Sequence, residues 1–489
     1  MNILYIDIDT LRPDHMSCYG YARQTTPNID RLAARGIRFG GVYASDSPCL
    51  PSRSALASGR FGFSTGVINH GGRRAEPYPS GPDRGRQSRV AVESWPSRLG
   101  GAGYWCASIS TFAERHSAFH WYAGFNEVLN LGTGGLETAD QVGAAAIDWL
   151  RRRGRDGDWL LHVHLWDPHT PYRTPEGYGE PFGGQPARTW IDESVIAAHR
   201  RLSGPHSAQE VTGWGPSPAR AAYPRQPQEI VTGRDVEVMI DGYDIGVHFA
   251  DHHVGTILDE LDRLGLSGQT AVMVSSDHGE NLGELGIYCD HQTADEHTHH
   301  IPMILAWPGI THPGVDESLR YHIDVAATIL DLAGAQVPPG WDGRSFAQGL
   351  LSGEAAAGRD HLVLSAAAWA TQRAVRHGRW LCIRTYHDAF HGFPEIMLFD
   401  LEADPAERHD VAREHPRIVQ ESMTLLDEWV GERLASTPDG VDPVTAVLDE
   451  GGGFYARQRP DGYLERLRRT GRPDRADAIA GRTELTWEV

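Results

Sequence analysis

Short apolar runs that end in a carboxylate or a histidine recur at wide intervals along the chain. Asn2-Ile3-Leu4-Tyr5-Ile6-Asp7-Ile8 leads into Asp9, Trp159 to Leu165 leads into Trp166-Asp167-Pro168-His169-Thr170-Pro171-Tyr172, and Thr270 to Ser276 leads into Asp277-His278-Gly279-Glu280. Runs of this length and apolar density predict strands of a parallel sheet, whose C-terminal edge is where α/β sites form. Between them, helix-like runs predict helices over Ala139 to Arg153, ended by Gly154, and over Tyr243 to Leu264. Near the N-terminus Thr26 is placed to cap a helix with Pro27 at its first position and Gly36 at its end. Strand-like and helix-like runs alternate, so the predicted class is α/β, with a large, mostly parallel central sheet flanked by helices.

From about Asp360 the pattern changes. Arg373 to Ile383 and Ile396 to Pro405 read as strands of a small antiparallel sheet followed by a helix, a C-terminal α+β subdomain. The expected organisation is a catalytic domain over 1–359 with a Gly- and Pro-rich insertion near the site at about 173–232, the subdomain over 360–440, and a tail over 441–489. The tail carries Gly451-Gly452-Gly453 and mixed Arg and Asp residues, and both disorder and an oligomer contact stay open for it.

The densest chemistry lies in Ser47-Pro48-Cys49-Leu50-Pro51-Ser52-Arg53, followed by Ser54 to Arg60. Ser52 to Ala57 reads as the opening of a helix, whose unpaired N–H groups favour negative charge near Cys49. Arg53 adds a guanidinium for an anion's oxygens or for an attacking hydroxyl. Asp9 and the pair Asp277-His278, each at a strand end, suit a divalent cation. His169 has the neutral-range imidazole that suits a general acid, whereas His162 and His164 alternate along a strand and read as packing or supporting residues.

The Cys-x-Pro-Ser-Arg run resembles the maturation signature of the type I sulfatases, in which that cysteine becomes Cα-formylglycine. The opening from Asp9 through Thr25-Thr26-Pro27-Asn28, the Asp-Pro-His-x-Pro-Tyr turn at 167–172 and the strand ending in Trp307-Pro308-Gly309 are similar to the same family, in order, over about residues 2–435. The resemblance implies an alkaline phosphatase-like fold and a sulfuric ester hydrolase. It also implies one divalent metal held by Asp9, the modified Cys49, Asp277 and His278, with calcium first and manganese or magnesium as alternatives, and His169 as the acid for the leaving oxygen. A hydrated aldehyde has one hydroxyl to attack sulfur and a second whose collapse expels sulfate, an exit that an ordinary serine ester lacks. Maturation would require a formylglycine-generating enzyme as partner. Counting back from Pro302 puts His291 where the family carries a substrate-binding lysine.

Three departures stand out. Thr10 replaces the family's second carboxylate, His278 replaces an amide, and Ser110-Thr111-Phe112-Ala113 stands where Gly-Lys-Trp-His is common, leaving Arg115, His116 or His120 as substitutes. These departures keep a second enzymatic reading open, a phosphonate monoester or phosphodiester hydrolase on the same scaffold, and, more remotely, a non-catalytic binding protein. His297, His299 and His300 invite a zinc reading, but no paired cysteines or spaced closing ligands accompany them.

A net charge of −20 argues against a nucleic acid partner, so an anionic substrate has to be drawn in by local charge. No apolar run is long enough to span a membrane, and the chain starts directly on a core strand, which reads as cytoplasmic. Five scattered cysteines make no disulfide framework. The expected substrate is a small-molecule or carbohydrate sulfate ester, and a homo-oligomer stays open.

Overall fold

The structure is a computed structural model that describes residues 1–78, 89–354 and 356–483. Its central sheet is built from β1 (Asn2–Ile8), β2 (Ile37–Phe39), β3 (Trp105–Ile109), β4 (Glu127–Leu129), β5 (Trp159–Leu165), β6 (Thr270–Ser275), β7 (Met303–Ala306) and β8 (Gly314–Asp316). The spatial order is β8-β2-β7-β6-β1-β5-β3-β4. β7 runs antiparallel to both of its neighbours, and the other pairings are parallel. The sheet is therefore mixed rather than purely parallel, with the predicted parallel strands β1, β5 and β6 at its centre.

Every residue of β1, β5 and β6 is buried, which is why these strands read as unbroken apolar runs. Successive side chains point to opposite faces. Leu4, Ile6 and Ile8 pack with the helices Ala139–Arg153 and Gly233–Leu264, while Ile3 and Tyr5 pack with the helices Cys49–Ser58 and His322–Leu332. Asp7 and Asp9 share the second face by the same alternation. They therefore point toward the helix that begins at Cys49.

Away from Cys49, two helices start differently from expectation. The long helix starts at Gly233 rather than Tyr243, because Val236, Met239 and Ile240 are buried on one face and Thr232 with Asp235 forms a capping box. Glu237 within this stretch, and Asp241-Gly242 between it and Tyr243, hide the amphipathic stripe. Thr26 does stand before the helix Pro27–Ala33, but its hydroxyl donates to the Asp30 carboxylate at 2.9 Å instead of capping. The cap comes from far away: the Asp251 carboxylate accepts the N–H of Asn28 at 3.0 Å and of Ile29 at 2.8 Å. Asp251→Ala should therefore lower stability by about 2 kcal/mol, the upper end for a lost helix cap, since the buried Ile29 N–H and the half-buried Asn28 N–H both lose their acceptor. Chemical denaturation checks this, and an unchanged midpoint would show the cap to be idle.

The second sheet has the order Ile396–Asp400, Trp380–His387, Thr371–His377, His361–Ala366, and is antiparallel across these strands. Its last strand is Asp46–Ser47, parallel to Ser365–Ala366, so the segment leading into Cys49 is an edge of the C-terminal sheet. The helix Pro416–Leu434 covers this sheet through Leu426 and Trp429. Beyond it the chain folds into the helices Pro443–Asp449, Tyr463–Arg469 and Pro473–Thr483, and the end of the expected tail, 484–489, lies outside the described residues. Arg472 pairs with the buried Glu210 at 2.6 Å and Arg466 with Glu210 at 2.9 Å, tying this segment to the 173–232 stretch.

Candidate active site

Cys49 opens the helix Cys49–Ser58, which begins three residues earlier than expected and is buried along its whole length. The Leu50 N–H donates to His70 Nε2 at 3.2 Å, and the Ser52 hydroxyl donates to the Asp277 carbonyl at 2.6 Å. These contacts hold the first turn of the helix against the end of β6. The Cys49 sulfur lies 3.1 Å from His278 Nε2. Burial, reinforced by the neighbouring Asp9 and Asp277, pushes the thiol well above its ordinary range. An unmodified Cys49 is thus a neutral thiol and a poor nucleophile.

Asp9 comes directly after β1 and Asp277 lies just beyond β6, so parallel pairing of the two strands brings both carboxylates to one edge. Ligand atoms of Asp9, Cys49, Asp277 and His278 all lie within 4.8 Å of one another. Asp9 Oδ1 is buried with no hydrogen-bond partner. Burial and the charge of Asp277 push the Asp9 carboxyl well above the usual carboxylate range, while burial pulls His278 down to about 4, leaving it neutral and able to donate a lone pair. Two buried carboxylates, a sulfur and a neutral imidazole converging on one point fit a divalent cation, which would offset the repulsion between the carboxylates.

Arg53 lies one turn into the helix and points at this cluster. Its guanidinium meets Asp9 Oδ2 at 3.0 Å, Asp277 Oδ2 at 3.1 Å and the carboxylate of Asp7. Asp7 is not among the residues expected at the site, although the alternation Asp7, Asp9 on β1 and His162, His164 on β5 signals it. Residues at period two share a face, and Asp7 pairs in register with His164. His162 Nε2 lies 3.2 Å from Asp7 Oδ2, and His164 Nε2 lies 3.1 Å from Asp9 Oδ2 and 2.8 Å from Arg53 Nη2. Ser108 and Ser110 hold the far nitrogens of the two rings, each at 2.9 Å. These histidines orient carboxylates, in keeping with the supporting place that strand alternation gives them.

His169 and His291 complete the opposite wall, each with a ring nitrogen within 4.8 Å of the Cys49 sulfur. Their ring centroids are 5.3 Å apart, and His291 lies 4.2 Å from the His278 ring. His169 Nδ1 is engaged by the Thr170 carbonyl, leaving Nε2 as the working nitrogen. Behind His291 is Glu280, whose Oε2 is 3.7 Å from His291 Nδ1 and whose Oε1 accepts from the Tyr172 hydroxyl at 2.8 Å. Burial pushes Glu280 up to about 8. In the sequence Glu280 is only the last letter of Asp-His-Gly-Glu.

The substituted positions sort themselves by contact. The Thr111 hydroxyl donates to Glu137, which also accepts from Trp166 Nε1 at 2.9 Å, and Ala113 is core. His120 is occupied by the Ser54 hydroxyl at 3.0 Å. His116 packs 4.7 Å from the His70 ring, and its Nε2 is buried without a hydrogen-bond partner. Arg115 lies 4.9 Å over the Trp166 ring. His297, His299 and His300 diverge, toward the carbonyls of Pro405, Ala44 and Gly40 respectively, each at 2.7 Å. They form no metal cluster among the described residues. Tyr455, from beyond the C-terminal sheet, reaches His70 Nδ1 at 3.0 Å.

The Sulfatase family model matches residues 1–335, and the model described as N-sulphoglucosamine sulphohydrolase, C-terminal, matches residues 283–429. The choline-sulfatase of Rhizobium meliloti is 28% identical over 468 residues, covering 87% of this chain and 84% of that protein. The N-acetylglucosamine-6-O-sulfatase of Bacteroides thetaiotaomicron is 23% identical, covering 91% and 88%. Among solved structures, one in complex with its substrate D-glucosamine-2-N,6-O-disulfate superposes with a TM-score of 0.70 at 20% identity, covering 88% of this chain and 98% of that one. The phosphonate monoester hydrolase of Agrobacterium radiobacter superposes with a TM-score of 0.66 at 19% identity, covering 88% and 96%. With more than half of its length matched by the family model, and with the strand-end carboxylates and helix-start cysteine gathered at one sheet edge, the chain belongs to the sulfatase family of the alkaline phosphatase-like superfamily.

Proposed function

We propose that this sulfatase hydrolyses organic sulfate monoesters through a formylglycine made from Cys49 by a formylglycine-generating enzyme. The observation that carries the reading is the convergence of Asp9, Cys49, Asp277 and His278 on one point, with His169 and His291 facing the same sulfur. Asp9, Asp277, His278 and residue 49 would hold one divalent cation, calcium first and manganese or magnesium as alternatives. When bound, the cation lowers the pKa of the attacking hydroxyl and neutralises charge on the sulfate oxygens. The aldehyde hydrate at position 49 supplies that hydroxyl, and a second one to release sulfate.

The remaining steps belong to the chain's own side chains. In its doubly protonated form His169 delivers a proton from Nε2 to the leaving oxygen, its Nδ1 proton being committed to the Thr170 carbonyl; burial and the neighbouring His291 hold the free ring well below the ordinary imidazole range, so the anionic substrate has to stabilise that charged form. His291 stands where it can donate to a sulfate oxygen. Arg53, gripped by three carboxylates, fixes the spacing of Asp9 and Asp277 and holds positive charge under the nucleophile. His116, whose Nε2 has no hydrogen-bond partner, serves in place of the polar residues absent at Thr111 and Ala113.

A phosphonate monoester or phosphodiester hydrolase is the second reading, favoured by neutral His278 and Thr10 beside the metal-ligand set. Sulfate and phosphonate monoesters both carry one negative charge, whereas phosphate monoesters carry nearly two. With matched aryl leaving groups, kcat/KM should be highest for the sulfate, measurable for the phosphonate and weak for the phosphate, since this ratio reports transition-state discrimination. A preference for the phosphonate by orders of magnitude would put the second reading in place of the first.

A further inference from the structure

Two of the guanidiniums around the site are saturated. Arg53 is enclosed by carboxylates, and Arg173 donates to the backbone carbonyls of Gly135, His169, Thr170 and Pro171. Arg115 and Arg220 differ. Arg115, on the short helix Phe112–Arg115, is exposed and makes a single hydrogen bond, to the Gly134 carbonyl at 3.3 Å. Arg220, in the turn Pro218–Ala222 of the 173–232 stretch, donates only to the Thr170 hydroxyl, at 3.4 Å. Among the described residues no carboxylate lies within 4.0 Å of either guanidinium, in a chain that carries 65 acidic residues against 45 basic ones.

Their placement relates them to the chemistry. Arg115 stacks on Trp166 and Arg220 reaches Thr170, and these two residues bracket His169 on one turn. The Trp166 and His169 rings are 5.8 Å apart. His169 faces the leaving oxygen in the proposed reaction, so the two arginines flank the alcohol side of the ester. The reacting sulfate lies on the other side, against residue 49 and the metal-ligand set of the proposed reaction. Two unpaired guanidiniums on the alcohol side match a second anion and disfavour a cationic alcohol.

We propose that Arg115 and Arg220 form a subsite for a second anionic group on the alcohol, so that the substrate class is a sulfate ester whose alcohol also bears a carboxylate or a further sulfate. This rests on the hydrolase reading above, and the test separates the two. The matched pairs are glucosamine N,6-disulfate against N-acetylglucosamine 6-sulfate, and a 2-O-sulfated uronic acid glycoside against a 2-O-sulfated neutral hexoside. Binding is measured by titration calorimetry on Cys49→Ala protein, and kcat/KM on the matured enzyme.

In at least one pair the dianion should be favoured by about tenfold or more, with the preference shrinking as salt is raised. Arg115→Ala with Arg220→Ala should bring that ratio close to one, and the Arg→Lys variants should keep part of it. Choline sulfate should bind more weakly than either member of a pair. Equal affinity within both pairs, no affinity for any of these esters, or a ratio unchanged in the double variant overturns the subsite. An equal loss on both members of a pair also overturns it, because it would mean the arginines grip the reacting sulfate itself. Selective binding of a dianion without turnover of any sulfate ester by matured enzyme supports the subsite while removing the hydrolase reading.

Discussion

Cys49→Ala is expected to abolish sulfate ester turnover, by on the order of 10⁴-fold or more as for other removed nucleophiles, while leaving the fold intact. The side chain lies 1% exposed at the start of a buried helix, and its thiol is held neutral by burial and by two neighbouring carboxylates. Such a thiol is unsuited to attack on sulfur: His278 is itself neutral, and the opposing pull of Arg115 is smaller than burial and the two carboxylates. The proposed mechanism therefore calls for oxidation to the aldehyde, and the peptide bearing Cys49 from active enzyme should show that mass change. Cys49→Ser should be nearly as inactive as Cys49→Ala, because a sulfate ester of serine has no second hydroxyl with which to expel sulfate. Full activity in protein whose Cys49 is entirely unmodified would sink this mechanism.

Loss of the cation should be nearly as severe. Asp9→Ala or Asp277→Ala should remove stoichiometric metal and lower kcat/KM by several powers of ten, because hydroxyl activation and charge neutralisation depend on the same ion. There is also a readout without substrate. Asp9 and Asp277 repel one another in a buried site with Arg53 as their shared partner, so adding the cation should raise the melting temperature of the wild type by mass action on the folded state. In the double variant Asp9→Ala with Asp277→Ala that rise should vanish. Metal retained at one equivalent in the double variant would show that the ligands are others.

Much of this site is written in local pattern. A strand buried on both faces must read as an apolar run, and the residues just past its end stand at the sheet edge, so Asp9, His169 and the Asp277-His278 pair are legible as site residues from the chain alone. Cys49 and Arg53 are legible through the Cys-x-Pro-Ser-Arg run, although the helix itself opens at Cys49 rather than at the expected Ser52. The mixed character of the sheet is not, since the direction of β7 depends on its pairing with β6 and β2.

Tertiary structure alone decided which charges meet. Asp251 caps a helix more than two hundred residues before it. Asp7 is drawn to Arg53 rather than to solvent, and Thr111 to Glu137 rather than to the site. His116 and Tyr455 come to the nucleophile's side through His70, and Arg220 comes from an irregular stretch with no periodicity to place it. The division is one of range. Strand and helix signals arise from residues a few positions apart, whereas a buried charge takes whatever partner the packing of distant elements leaves within about 3 Å, and no local pattern encodes that choice.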